Sequence, residues 1–587
     1  MIIAPFEHAR PLPHRFRATV VARDPSVRDR RSTDPRRRIL KAAIDFPATR
    51  LEPGPRGARF HVIDFDVSRK RLTEPTDFTP LSTDLAPGWN FVDNFSDTDD
   101  EALLASAAFR AQNVYAIAAR TLSTFEFALG RPVPWAFPSP HLNLVPTAFQ
   151  EANAYYSADD QALLFGYFPA ADRRTVYTCL AHDIVAHETT HAILDGLRSR
   201  FDVPGLPDQA GFHEGFADVV GLLSLLAAEE SIGAILGGTD KRVKASEVTY
   251  DALRQSVLVT IGREFGDALH LNRGGGLRRS VGLRPTKVWK DPRRLDWQEP
   301  HRRGEILVAA ILQTFLRIWT SRLEALHQAG TLDRARTAEE GALAATHILE
   351  MSIRAIDYCP PVEFEFEDFL AAMLTSDEAV VPDDKRGYRS ALRESFAAFG
   401  IEPAIGAPVT TAGAERPSYR SFSYAALRSN PDEAFRFMWD NAGLIDLATR
   451  FYTHVDSVRP SVRIGPNGFV VSEWLVDYVQ ELIVSAAELQ LLADHGPTTF
   501  VMPPGIDPGT QLKIWGGGTL VFDEFGGLKY HQFKRLDDWN RQQRRLEFLV
   551  GRGLWDTRGR LGFSTGVPLG QRFALAHTPT ATAGDEW

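Results

Sequence analysis

Apolar and polar residues alternate with different periods along the chain, and these periods divide it into regions. Residues 59–67, RFHVIDFDV, alternate as the two faces of a strand do, and residues 163–167, LLFGY, form a short apolar strand. Residues 103–129 are alanine-rich with the apolar period of a helix, and helical patterns dominate residues 178–401. The pattern therefore predicts an α+β protein in which a β-rich region precedes a helical one.

Composition places boundaries between these regions. Proline and arginine are frequent before residue 56, and proline, glycine, threonine and alanine are frequent just after residue 401. We therefore predict an N-terminal extension, a β-rich lobe, a helical lobe, a linker and a C-terminal domain, which cover residues 1–55, 56–177, 178–401, 402–417 and 418–587.

The C-terminal segment, residues 418–587, is predicted to be an accessory α+β domain whose fold the sequence does not reveal. Its clearest elements are a helix near residues 471–492 and a hairpin at residues 519–533, with Gly526-Gly527 as the turn. No catalytic motif is visible in it. We expect this domain to bind substrate or a partner, or to shield a cleft. We also expect a chain that ends near Ile401 to keep whatever activity residues 1–401 have.

The composition is that of a globular protein of two or three domains, with 587 residues of which 44% are apolar. The net charge is −9 and both signs are interspersed, which gives no basic face for nucleic acid. The arginine-rich segment at residues 28–38 also contains Asp and Pro, and we predict a solvated linker there. Cys179 and Cys359 are the two cysteines; they imply no disulfide framework and are predicted to be buried thiols.

The N-terminal sequence lacks the basic and apolar regions of a Sec signal, and no apolar run in the chain approaches membrane-spanning length. We therefore expect no membrane partner, and either a cytoplasmic protein or one exported without a recognisable signal. The sequence carries no information on the oligomeric state.

The residues with the clearest chemistry form an H-E-x-x-H motif, HETTH, at residues 187–191. His187 and His191 are four positions apart, so on a helix both imidazoles lie on one face and can reach one metal ion. Glu188 lies beside them, where it could take a proton from metal-activated water without being a ligand. Such a motif can arise by chance, but the apolar residues around it predict a core-packed helix, in which buried His and Glu without a metal would be costly.

A third ligand is needed, and Glu214 is the better candidate. The metzincin pattern needs Gly and His where this chain has Leu194 and Leu197. Asp218 follows Glu214 by four positions on the same helical face, where its carboxylate could accept the outer N–H of a ligating histidine. His213 adjoins Glu214 but would point away from the metal, so we expect it behind the ligands or at the surface.

With this zinc motif, residues 100–401 resemble the thermolysin-like metallopeptidases. Residues 153–156, NAYY, look like the family's edge strand, which pairs with the substrate backbone, so the resemblance implies that Asn153 and Ala154 hold a peptide. Without the resemblance, NAYY indicates only a turn before an aromatic strand. The implied fold is α+β and two-lobed, with a β-rich N-terminal lobe, a helical C-terminal lobe and the active site in the cleft between them.

Further site residues follow from the same resemblance. Pro300-His301 opens a long apolar helix as the family's transition-state histidine does, and Asp296 has the spacing of the aspartate that orients that histidine. His270 is the alternative histidine, but it lacks such a partner. Arg278 is the nearer match to the family's substrate-binding arginine, and Arg279 is the alternative.

The chain departs from the family pattern at several positions. Leu225 replaces a glutamate of the family's double calcium site, although Asp183 matches another carboxylate of that site, so calcium dependence does not carry over. His213 replaces the asparagine expected before the third ligand, and the family's tyrosine after the zinc helix has no match. Transition-state stabilisation would therefore depend more on His301.

We expect a zinc-dependent endopeptidase that acts on proteins or peptides, with Zn²⁺ held by His187, His191 and Glu214. Glu188 would be the general base, and His301, oriented by Asp296, would stabilise the oxyanion together with Arg278. An aminopeptidase of the same zinc class is the nearest alternative, but no G-x-M-E-N segment is present. The other alternative is a non-catalytic zinc-binding protein that uses the fold to bind a partner.

Overall fold

The computed structural model describes residues 15–22, 36, 38–47, 51–78, 91–169, 174–201, 203, 205–264, 279–324, 326, 330–404, 407–408, 417–419, 423–465, 468, 470–495 and 499–563. Within these residues the chain is an α+β protein, as predicted, with an N-terminal hairpin, a small mixed sheet, a group of helices and a C-terminal antiparallel sheet.

The strands of the described residues, in chain order, are β1 (Arg15–Val21), β2 (Lys41–Pro47), β3 (Phe60–Val62), β4 (Phe65–Asp66), β5 (Arg71–Leu72), β6 (Leu142–Phe149), β7 (Ala154–Ser157), β8 (Ala162–Pro169), β9 (Thr175–Tyr177), β10 (Arg242–Lys244), β11 (Thr331–Asp333), β12 (Ala407–Pro408), β13 (Tyr452–Ile464), β14 (Val470–Ser485), β15 (Gln511–Phe522) and β16 (Leu528–Lys534). The α-helices are α1 (Asp100–Ala105), α2 (Ala107–Leu129), α3 (His182–Leu197), α4 (Pro207–Leu226), α5 (Glu229–Leu236), α6 (Tyr250–Glu264), α7 (Pro300–Glu324), α8 (Arg334–Ile356), α9 (Phe366–Val380), α10 (Tyr388–Ala398), α11 (Tyr424–Leu427), α12 (Pro431–Asp440), α13 (Ala486–Asp494) and α14 (Trp539–Gly551).

The described part of the predicted N-terminal extension belongs to the main hydrophobic core. β1 and β2 form an antiparallel pair that packs on α2, with Phe16 and Phe46 buried between them and the rest of the core. The N–H of Val21 donates to Oδ1 of Asn113 on α2 at 2.9 Å. Most of the arginine-rich segment at residues 28–38 lies outside the described residues.

A mixed sheet with the strand order β3-β6-β8-β7 packs on α2, and among the described strands β7 forms its edge. β6 is parallel to β3 and β8, whereas β7 is antiparallel to β8. The strand predicted at residues 59–67 is divided into β3 and β4, because Asp64 between them turns inward. Its Oδ1 accepts the N–H and the hydroxyl of Thr147 at 2.9 and 2.5 Å.

The helix predicted at residues 103–129 is also divided, into α1 and α2. Ser106 ends α1, and its hydroxyl accepts the N–H of Phe109 at 3.1 Å. A serine that satisfies a free N–H of the first turn is a strong start signal for a new helix. The apolar period continues across the break, which is why the sequence indicates one helix.

Small residues let α4 approach both α3 and α7 closely. A Cβ atom on Gly221 of α4 would lie 3.0 Å from the carbonyl oxygen of Asp183 on α3. A Cβ atom on Gly215 would lie 2.8 Å from Cα of Gly304 on α7. The side chains of α4 near Gly215 therefore face both α3 and the first turns of α7.

Helix α7 is long and apolar enough, by length and composition, to cross a membrane, which differs from the expectation that no apolar run approaches this length. Of its most apolar window, 78% is buried inside the protein. Burial of this extent is typical of a core helix.

The C-terminal sheet is antiparallel, with the strand order β12-β16-β15-β14-β13. The predicted hairpin is present as β15 and β16, and Asp523 in its turn accepts the N–H groups of Phe525 and Gly527 at 2.9 and 2.7 Å. The helix predicted near residues 471–492 is wrong: strand β14 occupies residues 470–485, and α13 follows it. β14 pairs on both sides and its middle is buried on both faces, so it lacks the alternation that reveals a strand.

The C-terminal sheet shares a core with the helices. Leu475, Val521 and Tyr530 are buried in the main hydrophobic core. Polar side chains also pair across the contact: Arg198 with Asp477, Arg459 with Asp357, Tyr358 with Glu473, Lys534 with Asp368, and both Arg541 and Arg545 with Glu363. The sheet is thus built into the fold, whereas the sequence suggested an accessory unit. Most of the predicted linker, residues 402–417, lies outside the described residues.

Candidate metal centre

His187, His191 and Glu214 each bring one possible ligand atom to a common point. Both histidines lie on α3, and Glu214 lies on α4. The Nε2 atoms of His187 and His191 lie 3.6 and 3.7 Å from Oε2 of Glu214, and the three ligand atoms lie within 4.8 Å of one another. All three residues are buried. These residues could therefore hold a metal ion.

Asp218 lies behind His187, one helical turn after Glu214 on α4. Its Oδ1 atom is 2.8 Å from Nδ1 of His187. Because a carboxylate oxygen accepts, the histidine nitrogen must donate, and this assigns the proton of a neutral ring to Nδ1. The lone pair then lies on Nε2, the nitrogen that faces Glu214. The sequence predicts this contact from the spacing of four residues, and its effect on metal affinity stays a prediction.

His213 has the corresponding position behind His191, with the two Nδ1 atoms 2.8 Å apart. Burial, together with the neighbouring His191, lowers the pKa of His213 to about 3. A neutral His213 can accept the Nδ1 proton of His191, which leaves Nε2 of His191 with its lone pair. Of the two positions expected for His213, the buried one behind the ligands is therefore observed.

Glu188 is fully buried and is held by the edge strand β7. The N–H of Tyr156 donates to Oε2 of Glu188 at 3.1 Å. The hydroxyl of the same tyrosine donates to Oδ2 of Asp195, two turns further along α3, at 2.8 Å. The strand therefore fixes the Glu188 carboxylate and also the helix that carries it.

His301 lies beside the three possible ligands, at the start of α7. Its Nε2 atom is 3.5 Å from Oε2 of Glu214, and its Nδ1 atom is 2.7 Å from Oε1 of Glu299. Glu299 also accepts the N–H groups of His301 and Arg302, at 3.1 and 2.8 Å. It therefore caps the helix and holds the imidazole with one carboxylate.

The partner of His301 differs from the one expected. Asp296 lies in the short 3₁₀ helix Leu295–Gln298, and its two oxygens accept from Arg294 at 3.0 and 2.9 Å. This bond to Arg294 lowers the pKa of Asp296. The 3₁₀ turn directs Asp296 to Arg294, and Glu299 takes the position beside the imidazole. The sequence does contain a signal for Glu299, since a proline is common at the first position of a helix and the helix dipole favours a carboxylate beside that end.

The charges of the site keep Glu214 ionised. Burial alone would raise its pKa, but His301 and His191 hold the pKa well below its ordinary value. Glu299 follows the same pattern: burial opposes ionisation, and the bond to His301 lowers its pKa overall. An ionised Glu214 is the form that a metal ion requires from a carboxylate ligand.

The remaining predicted residues are only partly within the described chain. Asn153 and Ala154 are buried where β7 begins, and Oδ1 of Asn153 accepts the N–H of Ala154 at 2.9 Å. Arg278 and His270 lie outside the described residues. Arg279, the alternative to Arg278, donates to Oε1 of the buried Glu305 at 2.7 Å.

Comparison with known proteins gives little beyond this geometry. No family model and no curated protein matches the chain. One solved structure with a likeness to it is the precursor of protealysin, a metalloproteinase from Serratia proteamaculans, with 13% sequence identity over 60% of this chain and 90% of that one. The TM-score is 0.31, and a likeness of this degree carries no argument about the function of this chain.

Proposed function

We propose that this protein is a zinc-dependent metallopeptidase that hydrolyses peptide bonds in proteins or peptides. One observation carries the proposal: two buried imidazole nitrogens lie 3.6 and 3.7 Å from one oxygen of a buried, ionised glutamate. Zinc–ligand bonds of about 2.0–2.1 Å at tetrahedral angles separate two ligand atoms by roughly 3.3–3.5 Å. Direct hydrogen bonds would be shorter, at about 2.7–3.2 Å.

The donor set fits zinc better than a hard cation. Two imidazoles and one carboxylate are a ligand set of catalytic zinc, whereas calcium and magnesium take oxygen ligands. Each ligand histidine also has its outer nitrogen bonded, His187 to Asp218 and His191 to His213. Zinc held by His187, His191 and Glu214 would supply a Lewis acid that polarises a carbonyl and lowers the pKa of water to about 7.

Glu188 is the proposed general base. It precedes the second ligand histidine by one turn of α3, and the N–H of Tyr156 fixes its carboxylate. In the proposed reaction it takes a proton from the attacking water and passes it to the leaving amine. A base of this kind must be held in place but must not be a metal ligand, and the bond to β7 supports that assignment.

His301 is the proposed donor to the developing oxyanion. Its Nδ1 is held by Glu299, which keeps Nε2 directed toward the ligand group. We propose that Glu299 has the orienting role expected of Asp296, because Asp296 is bonded to Arg294. Such a donor stabilises charge that develops only in the transition state.

The two-lobed cleft and the substrate contacts of Asn153, Ala154 and Arg278 are parts of the same proposal. The edge position of β7 among the described strands supports it, since a peptide can add to a sheet edge as a further strand. β7 also contacts Glu188 directly, so a peptide aligned along it would lie near the base. An endopeptidase needs this arrangement to hold an extended chain on both sides of the cleaved bond.

Metal analysis together with peptide cleavage tests the proposal. The purified protein should contain one zinc per chain and cleave casein or an unstructured fluorogenic peptide, with both properties lost on chelation and restored by zinc. Glu214→Ala should lose zinc, because two imidazoles alone hold it weakly. A Glu214→Ala variant with full zinc occupancy would show that the ligand set is wrong. Zinc binding without cleavage would favour the non-catalytic alternative.

A further inference from the structure

We propose that the C-terminal sheet positions the metal-binding helix α3 through the buried ion pair of Arg198 and Asp477; this inference rests on the metal site proposed above. Arg198 directly follows α3, and its N–H donates to the carbonyl of Leu194 at 2.8 Å, which closes the last turn. His191 lies seven positions earlier, or about two turns. Arg198 therefore extends roughly the face of α3 that carries the ligand histidines.

The side chain of Arg198 joins three elements and is almost completely buried. Its Nη1 donates to Oδ2 of Asp477 on β14 at 2.6 Å. Nε and Nη2 donate to the carbonyl of Ile356 at 3.1 and 2.6 Å, and Nη2 also reaches the carbonyl of Cys359 at 3.3 Å. Ile356 is the last residue of α8, where the helix dipole favours a cation, and Cys359 lies three residues beyond it. The end of α3 is thus fixed to α8 and to the sheet by one guanidinium.

Asp477 is held rigidly by the sheet. Its Oδ1 accepts the hydroxyl of Thr519 on β15 at 2.6 Å, and its Oδ2 accepts the hydroxyl of Ser457 on β13 at 3.2 Å. Arg459 on β13 forms a second ion pair with it. These contacts come from strands on both sides of β14, so the sheet sets the position of the Asp477 carboxylate. The guanidinium of Arg198 must therefore lie where it can reach that carboxylate.

A second buried carboxylate on β14 provides a control that separates an effect on the position of α3 from an effect on the stability of the whole protein. Glu473 also lies on β14 and is also buried, and it pairs with Arg463, Lys529 and the hydroxyl of Tyr358. None of these partners belongs to α3. Glu473→Gln therefore removes a comparable buried charge from the same interface and leaves the helix contact intact.

The loss of Asp477 should act on the ligand atoms through the helix. Without its anion, the buried Arg198 must move or draw in water, and the end of α3 must move with it. Both histidines lie on α3, while Glu214 lies on α4, so such a movement changes the distances of 3.6 and 3.7 Å between their ligand atoms. The zinc affinity of the full-length protein should fall accordingly.

The test compares Asp477→Asn with Glu473→Gln in the full-length protein. Zinc affinity is measured by competition with a chromophoric chelator, and ligand geometry by the visible spectrum of the cobalt-substituted protein. Asp477→Asn should weaken zinc binding, by up to the ~10–100-fold seen when a group bonded directly to a metal ligand is lost, and should shift the cobalt bands. Glu473→Gln should change neither. Wild-type affinity and spectrum in Asp477→Asn, or an equal loss in Glu473→Gln, would overturn the inference.

Two further measurements keep the test decisive. If Asp477→Asn does not fold, Arg198→Met combined with Asp477→Leu removes both charges, and the same loss of zinc affinity is expected from it; wild-type affinity in that double variant overturns the inference. Hydrogen exchange of the metal-free proteins should show faster exchange in α3 for Asp477→Asn than for Glu473→Gln. A wild-type protein without zinc affinity would contradict the proposed function itself, whereas normal binding in wild type and variant contradicts only the role of Asp477.

Discussion

The metal centre and the contact with the C-terminal sheet both bury charged groups, but they arrange them differently. At the sheet, acids and bases meet directly, as in the 2.6 Å contact of Arg198 with Asp477. At the metal centre, the atoms of His187 and His191 stop 3.6 and 3.7 Å from the Glu214 oxygen, while their outer nitrogens make contacts of 2.8 Å.

The difference distinguishes a structural use of buried charge from a chemical one. A buried ion pair offsets its loss of hydration by direct contact, so its atoms approach as closely as a hydrogen bond allows. Ligand atoms of a common ion are separated by the ion itself. The buried groups at the sheet are therefore expected to affect folding first, and those at the metal centre are expected to affect chemistry first.

Truncation is the largest change that tests the structural half of this comparison. A chain that ends at Ile401 loses Asp477, the ion-pair partner of Arg198, one of the two partners of Asp357, and both arginines that pair with Glu363. It also loses the part of the core that contains Leu475, Val521 and Tyr530. We expect this chain to be insoluble or to lack cooperative thermal unfolding. The matched control ends at Phe563 and retains every described element. A soluble chain ending at Ile401 with normal zinc binding would restore the accessory domain that the sequence suggested.

Substitution of the base tests the chemical half. Glu188→Gln should lower kcat by ~10²–10⁴-fold, the contribution of a general base, because the amide cannot take the proton. Zinc content and thermal stability should stay close to wild type, since Glu188 is not a proposed ligand. Glu229→Gln, at an exposed position at the start of α5, is the control. Near-normal turnover in Glu188→Gln would exclude the proposed mechanism.

Substitutions of the proposed oxyanion donor, His301, and of its partner, Glu299, should lower kcat to different degrees. His301→Ala should lower kcat by ~10²–10³-fold with little change in zinc content. Glu299→Gln should lower kcat by about 10-fold, because the His301 imidazole is still present but is less firmly oriented. Asp296→Asn should leave turnover unchanged. If Asp296→Asn is the more harmful of the two carboxylate substitutions, Glu299 does not have the orienting role in solution.

The same comparison explains which parts were predictable from the sequence. The shared face of His187 and His191 on α3, and that of Glu214 and Asp218 on α4, follow from helical spacing, because a helix fixes which residues share a face. Contacts between elements distant in the chain, such as Tyr156 with Glu188, depend on packing that no local pattern reveals.

The errors have similar physical origins. The spacing of Asp296 predicts a carboxylate that faces His301, but an intervening 3₁₀ turn directs it to Arg294. The sequence predicts a helix where β14 lies, because a strand buried on both faces has no alternation of apolar and polar residues. The sequence also does not reveal that the C-terminal sheet packs into the main fold. Arginines usually lie on a solvated surface, so the sequence gives no sign that those at this contact are buried.

The smallest effect expected is a pH dependence of stability at the sheet contact. Asp357 accepts from Arg131 at 2.6 and 3.1 Å and pairs with Arg459. Although burial opposes ionisation, Arg131 and Arg459 hold the pKa of Asp357 well below its ordinary value. A lowered pKa in the folded state gives stability that is complete above the unfolded pKa of about 3.9 and is lost as the pH falls below it.

Asp357→Asn should therefore destabilise the protein by about 3 kcal/mol at pH 7, because it removes the buried carboxylate that pairs with the part-buried Arg131 and Arg459. The difference in the free energy of unfolding between wild type and variant should become smaller by about 1 kcal/mol as the pH falls from 4 to 3. Protonation then removes from wild-type Asp357 the same charge that the substitution removes. Urea unfolding of both proteins across this range measures the change, with the exposed Asp159→Asn as the control. A difference that stays constant with pH would show that Asp357 acts through its shape and hydrogen bonds, and that its charge contributes little to holding the sheet against the helices.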